Sequence, residues 1–133
     1  MNILRILAIV VWISLPTVMY GGYALLGFIT RGNQLSAFQE QFFRAGHAHA
    51  GVLLLMSLLY YIFLERTAFS TAVKAGAFIV LVVGILAQSG GFFLHMLVGQ
   101  PGQPSLGTAV TTAGAVLLGG AILLLAYGLI TAP

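Results

Sequence analysis

The chain has no cysteine and no aspartate, and only two of its 133 residues are acids, Glu40 and Glu65. The missing thiols remove disulfides, CxxCH haem attachment, iron–sulfur clusters and thiolate zinc sites together. Charged residues make up 5% of the chain, against about a quarter in soluble domains, so a soluble protein is excluded. The five Lys and Arg residues are scattered and form no basic run that could hold phosphates. Nucleic acid is therefore not an expected partner. The first apolar run continues to about residue 29 and no A-x-A site ends it. A secretory h-region is only about 7–15 residues long, so this run reads as a first membrane span.

What is present is apolar: hydrophobic residues make up 60% of the chain, with a mean hydropathy of +1.09. A bilayer core of about 30 Å needs roughly 20 apolar residues in a helix. Four segments meet that length, at about 4–29, 46–64, 71–98 and 106–131. Their length and lack of alternation exclude barrel strands. Short links between them predict an all-α, single-domain, antiparallel four-helix bundle embedded in a lipid bilayer. Pro16 is expected to kink the first helix. Phe38 and Phe42, set among Gln39, Glu40, Gln41 and Arg44, suggest a short interfacial helix or a plain polar loop before the second. Thr111, Ala115 and Gly119 form a small-residue stripe on the fourth, of the kind that serves close helix packing. With the N-terminus inside, Arg5, Arg66 and Lys74 lie inside, and Arg31 and Arg44 lie outside. This three-to-two split places both termini in the cytoplasm.

The chemistry-bearing residues gather at one end. "RAGHAHAG", residues 44 to 51, holds His47 and His49, and His95 lies three residues before the end of the third span. At 1.5 Å per residue, His49 and His95 fall roughly 5 Å below the same membrane face. Tyr20, Tyr23, Thr108, Thr111 and Thr112 belong to that end, and the opposite end reads as plain. His47 and His49 are about 200° apart around a helix and cannot chelate one ion from one face. His49 shares a face with Leu53, Met56 and Tyr60, and His47 shares one with Gly51, Leu54 and Tyr61. The small neighbours Ala45, Gly46, Ala48, Ala50 and Gly51 leave a shelf beside an imidazole, which a flat macrocycle or a close helix contact could use. Gln88, Phe92 and His95 share one face of the third helix. Gln88 is near mid-bilayer, where a polar group usually faces the interior. Three imidazoles admit a zinc site; one axial histidine on haem iron asks for less. Boundary histidines without chemistry are the plainer alternative.

The "RAGHAHAG" segment, the "GGFF" of the third helix (Gly90 to Phe93) and the short four-helix plan resemble styrene oxide isomerase and its relatives. Hydroxylaminobenzene mutase-like proteins belong to the same broad group. The resemblance covers the whole topology and rests locally on Arg44, Ala45, His49 and Gly51. It implies haem b, bound between protomers of a homotrimer, with His49 as the axial ligand to iron. It also implies a ferric iron acting as Lewis acid on small lipophilic epoxides, giving carbonyl products in an apolar site that excludes water. On that footing His47, His49, Gly51 and Tyr60 are the cofactor-binding candidates, and His95 and Gln88 the catalytic ones. The family's Asn about two turns beyond the ligand is replaced here by Leu55. Its Asp and Tyr on the third helix are replaced by Ile85 and Phe93. A cofactor-free accessory or assembly subunit of a larger membrane complex is the competing reading. A proton or solute path along Gln88 and His95 is a weaker one, with too few ionisable groups for a relay.

Overall fold

The computed structural model describes residues 3–32 and 35–132. It consists of four helices, α1 (Ile3–Thr30), α2 (Ala37–Leu64), α3 (Thr71–Val98) and α4 (Leu106–Ile130), each long and apolar enough to cross a membrane. Large apolar side chains such as Ile13, Met19, Val52, Leu86, Leu123 and Ile130 stand exposed along them. In water such a surface would aggregate, whereas lipid is its natural solvent. The chain is an all-α integral membrane bundle.

Helix α2 begins at Ala37, nine residues ahead of the span expected from hydropathy. The cause is local. Ser36 and Gln39 form a reciprocal capping box, which satisfies two otherwise orphaned backbone donors. The polar segment with Phe38 and Phe42 is therefore the first two turns of α2 rather than a separate interfacial helix or a loop. At 28 residues, α2 is about 42 Å long and overhangs the hydrocarbon layer. Serines also cap α3 (Ser70) and α4 (Ser105).

The helices run antiparallel in sequence order. Helix α3 packs most extensively on α4, then on α2; α1 leans chiefly on α2 and touches α3 little. Small residues recur every seven positions along the α3–α4 seam: Ala77, Gly84 and Gly91 on one side, Gly107, Gly114 and Ala121 on the other, all buried; Gly128 continues the spacing but packs on Phe69 and Thr67 of the α2–α3 link. A Cβ on Gly84 would meet Leu118 at 2.9 Å, and one on Gly114 would meet the Gln88 Cα at 2.8 Å. Backbones approach this closely only where side chains are absent. The stripe expected from sequence is thus corrected. Thr111 does sit on the seam and donates to the Gln88 carbonyl at 3.3 Å, but Ala115 is exposed and Gly119 faces open space.

Helix α1 continues through Pro16. Proline removes an N–H from the ladder; beside it, Ser14 donates to the Val10 carbonyl and Thr17 to that of Ser14. Toward the end of the bundle opposite the histidines, Phe78, Leu81, Ile85, Leu64 and Leu4 form the driest part of the core.

Candidate functional site: three histidines at one end of the bundle

All three histidines lie at the same end, and each is held differently. His49 turns toward α3. Its Nδ1 donates to the Ala45 carbonyl at 2.8 Å, since a carbonyl can only accept. Nε2 is left as the lone-pair nitrogen. The ring lies 4.7 Å from that of Phe92 and is partly buried. On the flank of α2 beside it, Gln41, Arg44, Ala48, Val52 and Leu55 form an exposed strip. Arg44 pairs with Glu40 one turn earlier.

His47 turns the other way, toward α1. A Cβ on Gly22 would stand 3.1 Å from its Nε2, and one on Gly21 3.3 Å from its Nδ1. The two glycines make room for the imidazole. Gly51 shares this face and meets Val18 of α1. A laterally open groove runs past His47, walled by Gly22, Leu25, Leu26, Ile29 and Arg44.

His95 is 4% exposed. Its Nδ1 bonds Ser105 Oγ at 2.7 Å, the same hydroxyl that accepts from the Gly107 N–H at the start of α4. Phe42 meets its ring edge-on at 4.4 Å, and Phe38 lies 5.3 Å away. Phe42 continues to Phe92 at 6.4 Å. A run of rings, His49, Phe92, Phe42 and His95, therefore alternates between α2 and α3, and His95 ties its end to Ser105 in the link before α4. These aromatic turns come from the part of α2 that hydropathy alone left outside the span.

The remaining candidates are dispersed. Tyr60 is eleven residues beyond His49, about 16 Å along the helix, where its hydroxyl donates to the Ala121 carbonyl of α4 at 2.9 Å. It is 3% exposed and stacks on Phe78, so it is a core residue. Gln88 is partly buried and joins the α3–α4 seam through its backbone carbonyl. The shelf of small residues is filled in part from within the chain, because Gly46 abuts Phe93, with a Cβ position 2.8 Å from its ring. The four cofactor-binding candidates thus split: His47 and Gly51 face α1, His49 faces α3, and Tyr60 lies deep in the core. Among the described residues no three His, Cys, Asp or Glu side chains converge as a metal site. The opposite end is not plain: Phe69 stacks on Tyr127, Arg66 lies over Phe63, and Lys74 donates to the Glu65 carbonyl.

The class defined by this fold is a small four-helix integral membrane bundle with a histidine-bearing end. No family model, curated protein or solved structure matches the chain.

Proposed function

We propose that this chain is a membrane haem b protein of the styrene oxide isomerase type, with His49 as the axial ligand. The observation that carries the reading is the state of His49. A ligating histidine usually donates its other ring N–H to a carbonyl or carboxylate, which fixes the tautomer and makes the ligand nitrogen more basic. Here Ala45 accepts from Nδ1, and Nε2 is the nitrogen left to bind. The donor chemistry therefore fits the group. The exposed strip with small Ala48 at its centre leaves one side of this end uncovered by the chain itself, which suits a group shared between copies in a homo-oligomer, a trimer by the resemblance.

When bound, haem supplies a Lewis-acidic iron able to polarise the oxygen of a small lipophilic epoxide. The protein's own contribution is positional. Ala45 orients the His49 ring, Phe92 holds it from one side, and the apolar stretch of α2 beyond His49 together with Phe42 and Phe92 keeps water from a reacting carbon centre. Gln88 lies on α3 one turn before Phe92, and its amide can donate to a substrate oxygen. His95 positions Phe42 and the start of α4. The setting is a bacterial-type inner membrane, with both termini cytoplasmic.

Purification in mild detergent with haem supplied during expression tests this directly. A Soret band with near-stoichiometric iron is expected, and His49→Ala should abolish both. A colourless, iron-free, well-folded preparation overturns the proposal in favour of a non-catalytic accessory subunit.

A further inference from the structure

A second cavity, which no histidine lines, lies one to two turns of α2 deeper than His47, between α1, α2 and α3. Its volume is about 360 Å³, and its walls include Ser14, Thr17, Ala50, Leu54, Ser89 and Gly90. For scale, an apolar cavity of roughly 150 Å³ accepts benzene, and small-molecule sites begin at about 300 Å³. It exists because α1 packs on α2 and leaves α3 largely uncovered.

Its walls are largely apolar and carry three hydroxyls, those of Ser14, Thr17 and Ser89. Ser14, Thr17, Ser57 and Thr112 each donate a hydroxyl to a carbonyl of their own helix, the usual way to satisfy serine and threonine inside a membrane helix. Ser89 does not. It is 5% exposed, and its Oγ is the buried side-chain polar atom without a hydrogen-bond partner among the described residues; the oxygen itself is enclosed, so it meets a molecule in the cavity after a change of its χ1 rotamer. A buried hydroxyl left unpaired is costly in an apolar setting, so it marks a place where a partner is missing. A lipid acyl chain would fill the volume and leave the hydroxyl unpaired.

We infer that this cavity binds a small neutral lipophilic molecule carrying one oxygen acceptor, with Ser89 donating the hydrogen bond that orients it. The ligand class is a ketone or ether of one to two rings, entering laterally from the lipid. No histidine lines the cavity, and His49 faces Phe92 on another side of α3, so the inference stands independently of the haem reading.

The glycine at the mouth provides a clean occlusion. A Cβ on Gly90 meets nothing within 4 Å, so Gly90→Leu projects its side chain into the cavity without a clash at the backbone. The experiment uses the full chain in phosphatidylcholine nanodiscs with benzophenone as both ligand and photolabel. Diphenylmethane, the same shape without the oxygen, serves as competitor. Saturable labelling centred on Leu54 and Ile85 is expected, and Gly90→Leu should abolish it. Ser89→Ala should raise the half-saturating benzophenone concentration about 3- to 10-fold, the worth of one hydrogen bond, while competition by diphenylmethane stays unchanged. Non-saturable labelling spread over the lipid-facing residues overturns the inference. So does a Ser89→Ala variant with unaltered benzophenone dependence, and that arm decides the matter even if Gly90→Leu does not fold.

Discussion

At the scale of single residues, the three histidines differ by what occupies their nitrogens. His49 has Nδ1 committed to Ala45 and Nε2 available. His47 is wedged against Gly21 and Gly22, and His95 is enclosed with its Nδ1 on Ser105. Substitution should separate them. His49→Ala is expected to lose haem outright, because an axial bond is removed. His47→Ala is expected to retain most of it. His95→Ala should keep the haem band yet unfold at lower temperature, since it leaves Ser105 Oγ with only the Gly107 N–H and opens a void under Phe42, a loss of about 0.5–1.5 kcal/mol from the hydrogen bond alone. Absorbance and thermal unfolding followed on the same samples check all three. Bleaching by His47→Ala alone would move the ligand to the α1 groove; bleaching by His95→Ala alone would move it to α3.

At the scale of elements, the α3–α4 seam is the most constrained contact in the molecule. Its seven-residue spacing of small residues keeps one face of each helix bare, and a period of 3.5 corresponds to left-handed crossing. Gly114→Val should therefore be severe, because its branches would press on the α3 backbone at Gly84 and Gln88. Overpacking of this kind costs about 1–3 kcal/mol where side chains can give way, and backbone gives way less. Gly119→Ala, five residues along the same helix, faces open space and should be neutral or slightly stabilising, as alanine favours helix over glycine by about 1 kcal/mol. Comparing the two by thermal unfolding in detergent checks the seam; equal effects would refute it. Helix α1 has no comparable seam, and the consequence is the cavity with Ser89 on its wall.

For the whole molecule, the bundle fixes which ends share a membrane face but not which face is outside. Charge alone decides that, and the split of Arg5, Arg66 and Lys74 against Arg31 and Arg44 favours cytoplasmic termini. Tags at both ends should be shielded from impermeant reagents in intact cells, and a cysteine placed at Gln103, in the link before α4, should be labelled. The reverse pattern would invert the orientation while leaving the four-helix plan untouched. The same result would show which side of the membrane the histidine-bearing end faces.

Hydropathy and length were enough to determine that four helices cross a bilayer, because lipid leaves the backbone few ways to satisfy its hydrogen bonds. The order of the spans was enough to bring His47, His49 and His95 to one end, because the start of α2 lies beside the end of α3 in an antiparallel pair; the depth of His49 was not, since α2 begins at Ala37 and not near Gly46. The start of α2 was missed by hydropathy, although Ser36 and Gln39 carry the S-x-x-Q signature that would have placed it. Other features needed the tertiary structure. Helical phase put His47 and His49 on opposite sides, but only the positions of α1 and α3 decided that glycines receive one ring and Phe92 the other. Tyr60 shares a face with His49 on paper, yet its burial against Ala121 follows from where α4 lies. The α3–α4 seam depends on two seven-residue patterns being brought face to face, and the missing partner of Ser89 on α1 standing away from α3. Each of these is a long-range pairing, and a pairing is a property of two segments that neither segment encodes alone.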